Sequence, residues 1–112
     1  MLVFKGAEVY ALVNRCWIES GAGYSETERC RGIFTSKELV VKAATDFLED
    51  RLKSIQGHAK ECFMMPNTPL TFEQLRDDSY EYYNDSYEGY EHTEYFGAEL
   101  LVYVYELDNL KI

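Results

Sequence analysis

Residues 36–55 hold apolar side chains that recur every three and four positions, and this stretch decides what the rest of the chain must build. Leu39, Val40, Ala43, Ala44, Phe47, Leu48, Leu52 and Ile55 fall on one stripe, with Lys37, Lys42, Glu49, Asp50 and Lys53 on the other side. Thr35 or Ser36, placed before Glu38, can cap the first turn by accepting its free amides. A helix with one apolar stripe needs a surface to cover, and the flanking sequence supplies strands.

Residues 8–18 (EVYALVNRCWI) are rich in β-branched and aromatic side chains over a strand-sized length. Gly21-Ala22-Gly23 breaks that pattern, and residues 24–34 resume it, which suits a hairpin. Beyond the helix, Gly57 is a plausible stop, and residues 58–65 can form a short second helix before Pro66 and Pro69. Thr71-Phe72-Glu73-Gln74 has the spacing of a capping box, so a further helical turn or two runs through Leu75. Aromatic richness after residue 79 favours a strand, and Gly97 separates it from residues 99–107 (ELLVYVYEL), a strand expected at the centre of the sheet. The predicted fold is α+β, a single domain over residues 1–112 with an antiparallel sheet of about four strands and one main helix packed on one face.

Charge is distributed unevenly. The net charge is −9, yet residues 1–72 hold nine acids and nine bases. Residues 73–99 carry Glu73, Asp77, Asp78, Glu81, Asp85, Glu88, Glu91, Glu94 and Glu99 against Arg76. Tyr80, Tyr82, Tyr83, Tyr87, Tyr90 and Tyr95 are interleaved with them. Such a field repels nucleic acid and anionic lipid and favours a basic protein. Tyrosine adds rigid contact area at low entropic cost. The candidate partner-binding residues are therefore Asp77, Asp78, Tyr80, Glu81, Tyr82, Tyr83, Asp85, Tyr87, Glu88, Tyr90, Glu91, Glu94 and Tyr95. The competing explanation is a solvated sheet edge whose acids prevent aggregation. Mimicry of DNA is secondary, because a duplex carries a charge per roughly 1.7 Å of axis, whereas one acid per three strand residues gives about one per 10 Å.

No phosphate-binding loop, dinucleotide fingerprint, nucleophile elbow or HExxH pair occurs, so no catalytic residue, cofactor or metal is expected. Residues 77–88 lack the sixth-position glycine of a calcium loop. His58 and Cys62, four apart, form a single ligand pair that Cys16, Cys30 or His92 would have to complete, and the same two residues as a nucleophile pair lack a third orienting group. Three cysteines without a CxxC pair, and no apolar signal segment, point to reduced thiols in the cytoplasm.

VYALVN near the start, GIFTSKELVVKAATDFLED in the middle and VYVYELDN near the end resemble a group of small uncharacterised phage and bacterial proteins. In that group a strand leads to a Gly-hydrophobic-Phe/Tyr-x-Ser-x-Glu helix start, and the chain closes on a Tyr-x-Leu-Asp strand. The resemblance supports the fold, implies no activity, and stops across residues 57–97. Together, charge, tyrosines and resemblance suggest an inhibitor of a basic, nucleic-acid-handling protein, in an anti-CRISPR-like counter-defence role within a host cytoplasm. The alternatives are immunity to a nuclease toxin, or a small metal-binding or enzymatic domain using its Cys and His residues. A homodimer through the exposed tyrosines and the apolar terminal strand is also open.

Overall fold

The computed structural model describes residues 7–89 and 92–107. Over them the chain runs β1 (Ala7–Ser20), β2 (Gly23–Phe34), α1 (Lys37–Ser54), α2 (His58–Glu61), α3 (Phe72–Asp77), β3 (Tyr80–Glu88) and β4 (Thr93–Leu107). The strands form one antiparallel sheet in the order β2-β1-β4-β3. Helices α1 and α3 pack on one face, giving the α+β architecture expected from the sequence.

Strand β4 takes the central place that its apolar run demands, pairing with β1 from Ala7↔Leu107 to Glu19↔Tyr95. It also pairs with β3 from Tyr80↔Leu100 to Glu88↔Thr93. The strand starts at Thr93 and runs straight through Gly97, which is therefore not the separator its residue type suggests. Ser36 caps α1, its hydroxyl accepting from Leu39 N at 3.1 Å, and Thr71 caps α3 by accepting from Gln74 N at 3.1 Å. Val40, Ala44 and Leu48, one α-helical turn apart, are fully buried against the sheet. Burial of Val40 and of Leu48 contributes about 1.5–3 kcal/mol each. Leu39 lies off that line and is exposed.

Helix α2 ends at Glu61, short of the residues 58–65 expected from sequence, because strand β3 competes for the following backbone. Phe63 bridges to Tyr83, Met64 N donates to Tyr82 O at 2.8 Å, and Asn84 N donates to Cys62 O at 3.4 Å. That segment covers part of the outer edge of β3, which would otherwise be an open pairing template.

The register of β3 slips between Glu81 and Tyr83, leaving Tyr82 as a bulge. Tyr82 turns into the core at 4% exposure, its ring centroid 5.8 Å from that of Phe47 and 5.4 Å from that of Phe63. Its hydroxyl donates to Asn14 Oδ1 at 2.7 Å, and this satisfies the buried polar side chain of β1. Burial pushes the Tyr82 phenol up to about 12. The neutral form is thus favoured by folding. Its contribution is complete below the unfolded value of about 10 and is lost as pH rises through about 12. Tyr82→Phe, which strands Asn14, is expected to cost about 1–3 kcal/mol at neutral pH and to flatten the decline in stability across that alkaline window. Urea unfolding at a series of pH values, alongside a tyrosinate absorbance titration, measures both effects.

Candidate functional site

Directly paired residues of an antiparallel sheet share a face, so the register sorts the side chains into two sets. Tyr10, Leu12, Asn14, Cys16, Ala98, Leu100 and Val102 lie on the helix side. The opposite face carries no helix among the described residues. On it, Glu19, Glu26, Glu28, Glu81, Glu88 and Glu99 are joined by Trp17, Tyr24, Tyr95, Tyr103 and Tyr105, with Arg15 as the base among them. On the helix side four cations are stacked on rings, Arg31 and Arg51 over Phe47, and Lys37 and Arg76 over Phe72.

One row across this open face reads Glu81, Glu99, Arg15, Glu28. Arg15 Nη1 donates to Glu99 at 2.8 Å, Nε to Glu28 at 2.9 Å and Nη2 to the Tyr103 hydroxyl at 2.7 Å. Tyr103 in turn donates to Glu28 at 2.7 Å, and Ser79 donates to Glu99 at 3.0 Å. The hydrogen bonds from Tyr103 and Arg15 hold the Glu28 carboxyl below its usual range. Glu28 and Glu99 thereby share one cation, and the row keeps a net negative charge. Glu19, Glu81 and Glu88 lie within 4 Å of no described cation.

Next along the sheet, the Trp17 ring occupies the space beside Gly97, where a Cβ would meet Trp17 Cζ2 at 2.1 Å and Cε2 at 2.2 Å. Glycine is needed there for close approach of the ring. At the other end of the face, Ala11, Val13, Cys30, Ile33, Tyr103 and Tyr105 line, with Glu28, a hollow of about 400 Å³. Ile33 is 65% exposed and Tyr105 52%.

The residues singled out from sequence divide. Glu81, Glu88 and Tyr95 stand on the open face. Asp77 and Asp78 end α3, with Asp77 bound to Arg76 at 2.7 Å. Tyr82 is in the core, and Tyr80 donates to Met64 O at 2.6 Å. Tyr83, Asp85, Tyr87 and Glu94 belong to the helix side, with Tyr87 paired to Glu94 at the exposed end. Tyr90 and Glu91 lie outside the described residues, as does Asp108 of the terminal strand motif. Glu19, Tyr24, Glu26, Glu28 and Trp17 were missed because they belong to the charge-neutral part of the sequence. The period-two placement of Tyr24, Glu26 and Glu28 was the available signal.

The cysteines and histidines are likewise divided. Cys16 is on the helix side and Cys30 on the open face, and all three cysteines are free. His58 Nε2 lies 3.0 Å from Asp85 Oδ1 and 3.5 Å from Cys62 Sγ, so the pair foreseen from sequence is completed by an aspartate from β3. The Asp85 hydrogen bond raises the His58 pKa, and the same bond lowers that of Asp85. Burial, followed by the nearby Asp85 charge, pushes the Cys62 thiol up, the opposite of what an activated nucleophile needs.

Two outcomes follow from this geometry. Gly97→Ala is expected to destabilise the protein by about 1–3 kcal/mol through overpacking, and Trp17→Val in the same chain should recover most of the loss, measured by urea unfolding as a double-mutant cycle. Glu28→Gln is expected to lower the thermal midpoint at neutral pH. Because folding depresses the Glu28 pKa, its contribution is present above the unfolded value of about 4.3 and is lost as pH falls through the lowered one. The gap between variant and parent therefore closes in acid, as scans from neutral to acid pH would show. Among the described residues no helix is long and apolar enough to cross a membrane. No protein-family model matches the chain, and no curated protein or solved structure matches it.

Proposed function

We propose that the chain is a binding protein whose open sheet face docks a basic protein, and that it acts by occupying that partner's functional surface. The observation that carries this is the segregation of charge and aromatics: Glu19, Glu26, Glu81 and Glu88 surround Trp17, Tyr24 and Tyr95 on a face with Arg15 as its base among the described residues. Interfaces with an aromatic and aliphatic centre and a charged rim have this composition. The hollow between Val13, Ile33 and Tyr105 offers a seat for an apolar side chain of the partner.

A self-association through the same face is less favourable. A two-fold contact would set its own glutamates against one another, and like charges opposed across an interface cost several kcal/mol. Mimicry of a duplex is weakened by Arg15, which interrupts the row of the open face where acids from adjacent strands align. Large basic surfaces are typical of proteins that meet phosphate backbones, so a nucleic-acid-handling protein is the partner class this face suits. Counter-defence and toxin immunity share that physics, and the identity of neighbouring genes separates them.

The test uses two variants of equal charge change. Glu19→Lys combined with Glu88→Lys alters the open face, and Glu49→Lys combined with Asp50→Lys alters the exposed side of α1. Affinity capture from cells at low and high salt is expected to recover a basic protein with the parent chain, less of it at high salt. Capture should fall at least about tenfold with the first variant and stay unchanged with the second. Equal capture by both variants would remove the proposal.

A further inference from the structure

On the helix side of β3, facing away from the docking face, three side chains of different chemistry converge on a single point. His58 and Cys62 sit one helical turn apart on and just beyond α2, and Asp85 reaches them from β3. Their ligand atoms all lie within 4.8 Å of one another. We propose that His58 Nε2, Cys62 Sγ and an Asp85 carboxylate oxygen form a three-ligand zinc site whose fourth position is open to solvent.

The spacing fits the metal. With Zn–N near 2.05 Å and Zn–S near 2.3 Å, tetrahedral geometry sets the N···S edge at about 3.6 Å and the N···O edge at about 3.3 Å. The corresponding distances here are 3.5 Å and 3.0 Å, so a few tenths of an ångström of adjustment suffices. A nitrogen, a thiolate and a carboxylate are a borderline donor set that zinc accepts and that the harder calcium and magnesium do not.

The surroundings have the form of an outer shell. Glu61 stands 3.6 Å from His58 Nδ1, within ion-pair reach of the ring nitrogen that does not face the site. Ser86 N donates to Asp85 Oδ1 at 2.7 Å and the Tyr83 hydroxyl to Oδ2 at 3.3 Å, which aims the carboxylate. The bond from Asn84 N to Cys62 O ties α2 to β3 beside the ligands.

A Cys–His–Asp relay is the competing chemistry for these residues. A relay needs the nucleophile on one ring nitrogen and the carboxylate on the other. Here Cys62 and Asp85 both meet Nε2, and the carboxylate beside Nδ1, Glu61, is 3.6 Å away, beyond hydrogen-bond length, an arrangement suited to a shared ion and not to proton transfer along the ring.

Zinc added to the purified full chain should bind in one equivalent by calorimetry, and cobalt in its place should give a thiolate charge-transfer band with tetrahedral ligand-field bands. Cys62→Ser should abolish the charge-transfer band, and His58→Gln and Asp85→Asn should each weaken zinc binding at least about tenfold. Cys16→Ser and Cys30→Ser should leave both readouts unchanged. His58 is exposed, so His58→Gln separates metal loss from misfolding, checked by the metal-free unfolding midpoint. A charge-transfer band that survives Cys62→Ser, zinc affinity that survives His58→Gln, or no zinc uptake by the parent chain would overturn the site.

Discussion

The single extra residue at Tyr82 decides the use of everything downstream of it on β3. Had the strand alternated strictly after Glu81, Tyr83, Asp85 and Tyr87 would share the open face with that glutamate, and Asn84, Ser86 and Glu88 would turn to the helices. The bulge reverses this order, so that Glu88 joins the open face and Asp85 meets His58. Bulges cost ladder hydrogen bonds, and this one is held because the bulged side chain gains a place in the core. The Tyr82 ring fills the space between Phe47 and Phe63, and its hydroxyl satisfies Asn14, which without it would be a buried amide with a sulfur at 3.7 Å as its remaining side-chain partner.

The elements that could be read from sequence are those whose periodicity has one cause. Helix α1 shows its stripe because one sheet covers it, and residues 99–107 read as a central strand because apolar side chains occupy both parities, Leu100 and Val102 packing under the helices and Leu101 against Ala11 and Val13 on the open face. The Ser36 and Thr71 caps are local chemistry and stand where their hydroxyls indicate. Gly97 misled because a glycine in a strand pattern signals either a break or a close approach, and only the partner strand, bringing Trp17, distinguishes the two. The bulge was illegible for a related reason. In a segment where six of sixteen residues are tyrosine, aromatic side chains occupy both parities, so sequence alternation carries no information about which one turns inward.

The acidic character of the molecule also changes meaning once the strands are paired. Along the chain it belongs to residues 73–99, but in space several of those acids are engaged with the helices: Asp77 holds Arg76 and Asp85 holds His58. The open face makes up the difference from β1 and β2, whose Glu19, Glu26 and Glu28 are balanced in sequence by bases that fold onto the other side, Arg31 among them. A chain segment that is neutral by count thus contributes a polar asymmetry by topology. Arg15 is the exception that the face requires, because Glu81, Glu99 and Glu28 share one row and a cation between the last two relieves their repulsion.

Strand β3 therefore has two sides with separate chemistry. Glu81 and Glu88 point to the open face, while Tyr83 and Asp85 point to α2, and a backbone one strand thick lies between them. Long-range coupling through such a strand needs an element with two arrangements, and the hydrogen bonds that fasten residues 62–64 to β3 act against a second one. Substitutions on the two sides share no side-chain partner, so their effects should be close to additive. Metal binding at His58, Cys62 and Asp85 would then stiffen the edge of the sheet and the end of α2 without altering the charge of the open face, which makes it a stabilising device for β3 and not a switch for that face.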